Sequence, residues 1–149
     1  MSVKIFIKAP IEKCFDLARD VEIHTKTTSI TKERAVGGII SGLLELGDTV
    51  TWEAVHFGIK QRLTAQIIEM EKPNRFVDIM VKGTLHSFVH THQFMEEKEG
   101  TIMIDQFQYK SPLGIIGVLA DKLFLEKYMR KFIISRANEL KKIAENGGK

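Results

Sequence analysis

The stretch TLHSFVHTHQFMEEKEGTIMIDQFQYK, residues 84–110, decides the architecture. It holds two alternating runs on either side of Glu99-Gly100. In the first, His86, Phe88, His90, His92 and Phe94 share one face, and Leu85, Ser87, Val89, Thr91, Gln93 and Met95 share the other. In the second, Met103, Asp105, Phe107 and Tyr109 oppose Ile102, Ile104, Gln106 and Gln108. Alternation with period two marks a strand with one buried face, and a short turn between two such runs makes an antiparallel hairpin. The phenylalanines turn the even face of the first run inward, and the odd face of the second run is read as inward. A two-residue turn at Glu99-Gly100 pairs Lys98 with Thr101 and sets His92 opposite Phe107. A register set back by two sets His92 opposite Asp105. In both, His92 and Asp105 share a face, at ~8 Å or less.

Working outward, more strands precede this hairpin. SVKIFIK (2–8) places Val3, Ile5 and Ile7 on one face. KERAVG (32–37) is a short strand, and DTVTWEAVHF (48–57) puts Val50, Trp52, Ala54 and His56 on one side. KQRLTAQIIEME and RFVDIMVK follow, separated by the turn signal Pro73-Asn74. GGIISGLLELGD carries four glycines and reads as a bulged edge or a lid. It lacks the ending of a phosphate-cradling loop.

Two short helices are expected over 10–19 and around 21–28, with Pro10 in the first turn. His24 falls in the second and is expected at the surface. From Pro112 to about Ala144 the pattern turns helical, with Leu119, Leu123, Tyr128, Phe132, Ile133, Leu140 and Ile143 three and four apart. Its first half is apolar on most sides, so it must be surrounded. A curved antiparallel sheet of about seven strands wrapped around this helix meets that need. The expected class is therefore α+β, a helix grip, in a single domain over 1–149.

Composition narrows the function. The chain is 44% apolar and 28% charged, ordinary for a globular protein. Its one cysteine, Cys14, shares a stripe with Ile11, Phe15 and Ala18 and reads as a buried structural thiol. No signal peptide is read at the N-terminus, and the longest apolar run ends too early to span a bilayer. A cytoplasmic location is expected. The last 28 residues are basic, with eight Lys or Arg against three Glu, but the charges alternate with apolar residues as on a solvated helix face. Nucleic acid is not an expected partner. The sequence sets no oligomeric state.

The order of elements resembles the START-like, or SRPBCC, superfamily of polyketide cyclases and pollen-allergen-like carriers. LGDTVTWEAVHFG (46–58), RFVDIMVKG (75–83), SFVHTHQF (87–94), TIMIDQFQYKSPLG (101–114) and LADKLFLEKYM (119–129) are similar to a bacterial branch often labelled cell-division-inhibitor-like. The resemblance implies a helix-grip fold with an internal cavity for an apolar small molecule, lipid- or polyketide-like. It implies no reaction.

The residues expected to line that cavity are Trp52, His56, Asp78, Met80, Phe88, His90, His92, Met103, Asp105, Phe107 and Tyr109. Aromatic and methionine side chains supply area, and the His and Asp groups orient a polar end of the ligand. Three other uses of the polar set compete. H-x-H with a carboxylate can bind a metal, but spacing supplies only two ligands, so neither metal nor other cofactor is expected. The His92–Asp105 pair could act as a general base in a cyclase or dehydratase. The pair could also serve only to satisfy buried polar atoms. The apolar run SPLGIIGVLADKLFL (111–125) is core, an entry portal, or a patch for transient membrane contact.

Overall fold

The computed structural model describes all residues except 30, 57, 84, 86, 111–121 and 148–149, and the side chains of 122 and 123. Seven strands form one antiparallel sheet: β1 (Ser2–Ile7), β2 (Arg34–Gly38), β3 (Thr49–His56), β4 (Ile59–Glu71), β5 (Arg75–Lys82), β6 (Ser87–Glu97) and β7 (Gly100–Lys110). Their spatial order is β1-β7-β6-β5-β4-β3-β2, a six-strand meander closed by the N-terminal strand. The helices α1 (Ile11–Ala18) and α2 (Val21–Thr27) follow β1, and α3 (Lys122–Glu145) closes the chain. This is the helix-grip α+β fold: a curved sheet around a long C-terminal helix.

The alternation of each strand becomes its burial. On β6, Phe88, His90, His92 and Phe94 are buried, and on β7 Thr101, Met103, Asp105 and Phe107 are. On β3 the face of Val50, Trp52 and Ala54 turns inward. Glu53 is buried on the other side under Arg34 (2.7 Å) and Arg62 (3.1 Å). Asp20 caps α2 by accepting from Glu22 N at 2.9 Å and Ile23 N at 3.2 Å. Pro10 stands one position earlier than expected, at the N-cap of α1. On α3 the stripe Ile133, Ala137, Leu140, Ala144 is buried at helical spacing.

One end of the grip is solid. Phe15 of α1 meets Phe76 and Phe94 edge-on at 5.4 and 5.5 Å. Each such buried ring contributes roughly 1.5–3 kcal/mol.

The structure changes several boundaries. Glu97 pairs with Gly100, so the β6–β7 turn is Lys98-Glu99 and the second of the two expected registers holds, with His92 facing Asp105. Glu99 takes a positive φ (68°) in this turn. Gly100 is needed for another reason: a Cβ there would sit 2.4 Å from Ile7 O and 2.5 Å from the Phe6 ring. The strand expected from Lys32 begins at Arg34, because Lys32 turns at φ 53°. β2 is a bulged edge strand, with a register shift between Ala35 and Gly37. Gly38 (φ 67°) approaches β3 so closely that a Cβ would meet Thr49 O at 2.3 Å. The expected helix start at Pro112 and the apolar run 111–121 lie outside the described residues.

Candidate functional site

Away from the aromatic end, sheet and α3 separate around a cavity of about 360 Å³. Of the eleven residues expected to line it, Trp52, His56, Asp78, Phe88, His90, His92 and Phe107 do. Met103, Asp105, Met80 and Tyr109 do not. Met103 points to the same face but lies toward the aromatic end, in the solid core. Asp105 is 2% exposed and sits behind the histidines. Met80 and Tyr109 pack against the Phe88–Phe107 cluster.

The polar centre is built by cross-strand register. Asp78 on β5 pairs with His90 on β6, and His92 pairs with Asp105 on β7. His92 Nε2 hydrogen-bonds Asp78 Oδ2 at 3.1 Å, and its Nδ1 lies 2.9 Å from Asp105 Oδ1. His90 Nε2 approaches the same Asp105 oxygen at 3.3 Å. These last two contacts have ion-pair distance without hydrogen-bond alignment. The His92 ring is stacked between Phe76 (4.1 Å) and His90 (3.9 Å).

Burial disfavours a charged imidazole, but two carboxylates outweigh it at His92, whose pKa is raised above its ordinary 6.5. At His90 burial wins, the neighbouring His92 adds to it, and the pKa is lowered. For Asp78 and Asp105 burial pushes upward, but the imidazoles hold both carboxyls below their ordinary value. The centre therefore favours the charged form of His92, between two carboxylates, and the neutral form of His90 beside it.

A second polar group faces this one from the helical side. His24 is not a surface residue: its side chain is 18% exposed, it lines the cavity, and its Nε2 donates to Glu33 Oε1 at 2.8 Å. Its ring lies 4.0 Å from that of Trp52. Arg136 of α3 is not on a solvated face either. It is buried, lines the cavity and donates to Ala18 O at 3.1 Å. His56 Nδ1 shares a 2.6 Å hydrogen bond with the Tyr128 hydroxyl.

His24, Glu33, Arg136 and Tyr128 were missed by pattern reading, yet three carried a signal. Arg136 lies three after Ile133 and four before Leu140, on the buried stripe. His24 lies three after the buried Val21. Glu33 shares strand parity with Ala35, which packs on the core.

No helix among the described residues is long and apolar enough to cross a membrane. No protein-family model matches the chain, and no curated protein matches it in sequence. Solved structures do. TTHA0849 from Thermus thermophilus superposes with a TM-score of 0.81 at 24% identity, over 100% of this chain and 99% of that one. CV1439 from Chromobacterium violaceum gives 0.74 at 13% identity, covering 97% and 96%. Major latex-like protein 151 from Panax ginseng gives 0.68 at 14%, covering 97% and 95%. At these identities the likeness establishes the fold alone: this chain has the helix-grip architecture.

Proposed function

We propose that the protein binds a small, mainly apolar molecule, lipid- or polyketide-like, inside the grip. One observation carries this reading: a cavity of about 360 Å³ whose walls combine Trp52, Phe88, Phe107, Met129 and Ile133 with a compact polar set. Small-molecule sites typically enclose about 300–1,000 Å³ and place a few polar groups in an apolar surround. The apolar walls hold the body of the ligand, while Asp78, His90 and His92 orient a carbonyl or hydroxyl. The lone buried thiol of Cys14 supports a cytoplasmic location. Placement in the cell-division-inhibitor-like branch rests on the motif stretches alone and adds no mechanism.

Native mass spectrometry of the purified protein, with organic extraction of what it carries, tests the reading. A retained apolar compound of a few hundred daltons is expected, and Trp52→Ala should weaken its binding about tenfold or more (~1.4 kcal/mol). A protein that carries nothing and binds neither fatty acids nor polycyclic aromatic probes at millimolar concentration would rule it out.

A further inference from the structure

We propose that Asp78, His90 and His92 bind a divalent transition-metal ion, with the open side of the triad facing the cavity and Asp105 supporting it from behind. Each residue offers one donor atom, and all three donors lie within 4.8 Å of one another. Two ligands of one metal at ~2.1 Å stand about 3.0–3.4 Å apart for angles of 90–109°. His92 Nε2 and Asp78 Oδ2 are already at 3.1 Å. His90 needs only a side-chain adjustment to close on them. All three residues line the cavity, so the remaining coordination positions open onto it.

The layer behind the donors is an independent observation. Asp105 is 2% exposed and is not a cavity residue, yet its Oδ1 lies 2.9 Å from His92 Nδ1 and 3.3 Å from His90 Nε2. A carboxylate on the far nitrogen of a ligating imidazole fixes its tautomer and orientation and raises its basicity. The imperfectly aligned contacts at His92 Nδ1, His90 Nε2 and Asp105 Oδ1 leave buried polar atoms underused, which ring rotation on ligation would relieve.

Charge points the same way. Around the histidines, the carboxylates Asp78, Asp105 and Glu33 stand near the Arg136 guanidinium, while the other buried guanidinium that lines the cavity, Arg19, is paired with Asp16 and Glu45. Two imidazoles and a carboxylate with open positions favour Zn²⁺, Fe²⁺ or Co²⁺ over Mg²⁺ or Ca²⁺, which prefer oxygen ligands. The ion displaces the proton between His92 Nε2 and Asp78 Oδ2, which leaves to solvent. The site does not depend on which molecule fills the cavity.

Tag-free protein, stripped with EDTA and dialysed, is titrated with Co²⁺ and followed by visible absorption and elemental analysis. One equivalent is expected, with ligand-field bands that EDTA abolishes and Zn²⁺ displaces. Asp78→Ala, His90→Ala and His92→Ala should each weaken binding about 100-fold or more, and Asp105→Asn about 10–100-fold. Circular dichroism and thermal unfolding check that each variant is folded. Wild-type protein that shows no bands and no bound cobalt at about 1 mM overturns the proposal without reference to any variant. One equivalent held undiminished by a folded Asp78→Ala/His90→Ala protein overturns it too, because the ion then lies elsewhere.

Discussion

His92 and His24 face each other across one cavity, each with a carboxylate oxygen within 3.1 Å, and their pKa values move in opposite directions. Burial penalises the charged form of both. At His92 two carboxylates reverse that penalty. At His24 the Arg136 guanidinium adds to it, and the single carboxylate of Glu33 does not overcome the sum. The lesson is that a His–carboxylate contact does not by itself set the charge of an imidazole. The number of carboxylates and the nearest cation decide it. The sheet wall therefore favours the protonated imidazole, and the helical wall the neutral one, beside a carboxyl whose pKa is lowered.

The largest effect should come from breaking the sheet wall. Asp105→Ala removes the carboxylate from both His90 and His92 in a site where Asp105 is 2% exposed. Removing one partner of a buried ionic set costs about 3–5 kcal/mol, to be read from the urea midpoint. A loss under 1 kcal/mol would mean that Asp78 alone holds His92 in its charged form. Next comes the helical wall. Glu33→Gln replaces the carboxylate facing His24 and should cost about 1–3 kcal/mol, as expected when a buried donor loses its charged acceptor. A cost equal to that of Asp105→Ala would erase the distinction between the two walls.

The opposite shifts give stability a maximum in pH. Where a folded imidazole has a lowered pKa, the unfolded chain binds protons more readily. Stability then falls as pH drops below about 6.5. His24, His56 and His90 all act in this sense. The depressed carboxyl of Glu33 adds a further loss as pH falls below its ordinary 4.5. His92 acts in the other sense. Its contribution is complete below 6.5 and disappears as pH rises through its raised value. Unfolding midpoints taken in EDTA from pH 5 to 9 should fall on both sides, more steeply on the acid side. Imidazole NMR should show His24 still neutral below pH 6.5 and His92 still charged above it. Midpoints flat from pH 5 to 7 would show that the histidines are not buried as described.

The sheet wall was legible because a strand repeats every two residues. Parity alone put Phe88, His90 and His92 with Asp105 and Phe107 on one face. Register was harder, since it depends on one turn residue. Gly100 looked like the turn glycine, but the close approach of β1 requires it in the strand. The helical wall was nearly invisible. In a seven-residue helix and a mixed helix stripe, a polar residue reads as solvent-facing unless its burial is known. His24 and Arg136 turn toward the cavity only because helices α2 and α3 close over it, a tertiary fact that local periodicity does not hold. Carboxylate counts around each imidazole are likewise set by cross-strand partners. Asp78 reaches His92 diagonally from the neighbouring strand, beyond any spacing in the chain.

The smallest effect is expected where neither wall's rule applies. His56 is half-buried, with no carboxylate contact among the described residues, and its Nδ1 meets the Tyr128 hydroxyl at 2.6 Å. Burial lowers the His56 pKa and raises that of Tyr128, so both groups are neutral near pH 7. A hydrogen bond between neutral groups with water nearby is worth about 0.5–1.5 kcal/mol. Tyr128→Phe should therefore lower the melting temperature by about 2–4 °C in a chain of this size. The His56 ring resonances should move while those of His24 and His92 stay in place. A loss of 3 kcal/mol or more, or a coupled shift at His24, would show that Tyr128 belongs to the charged wall and that the neutral contact is not separate from it.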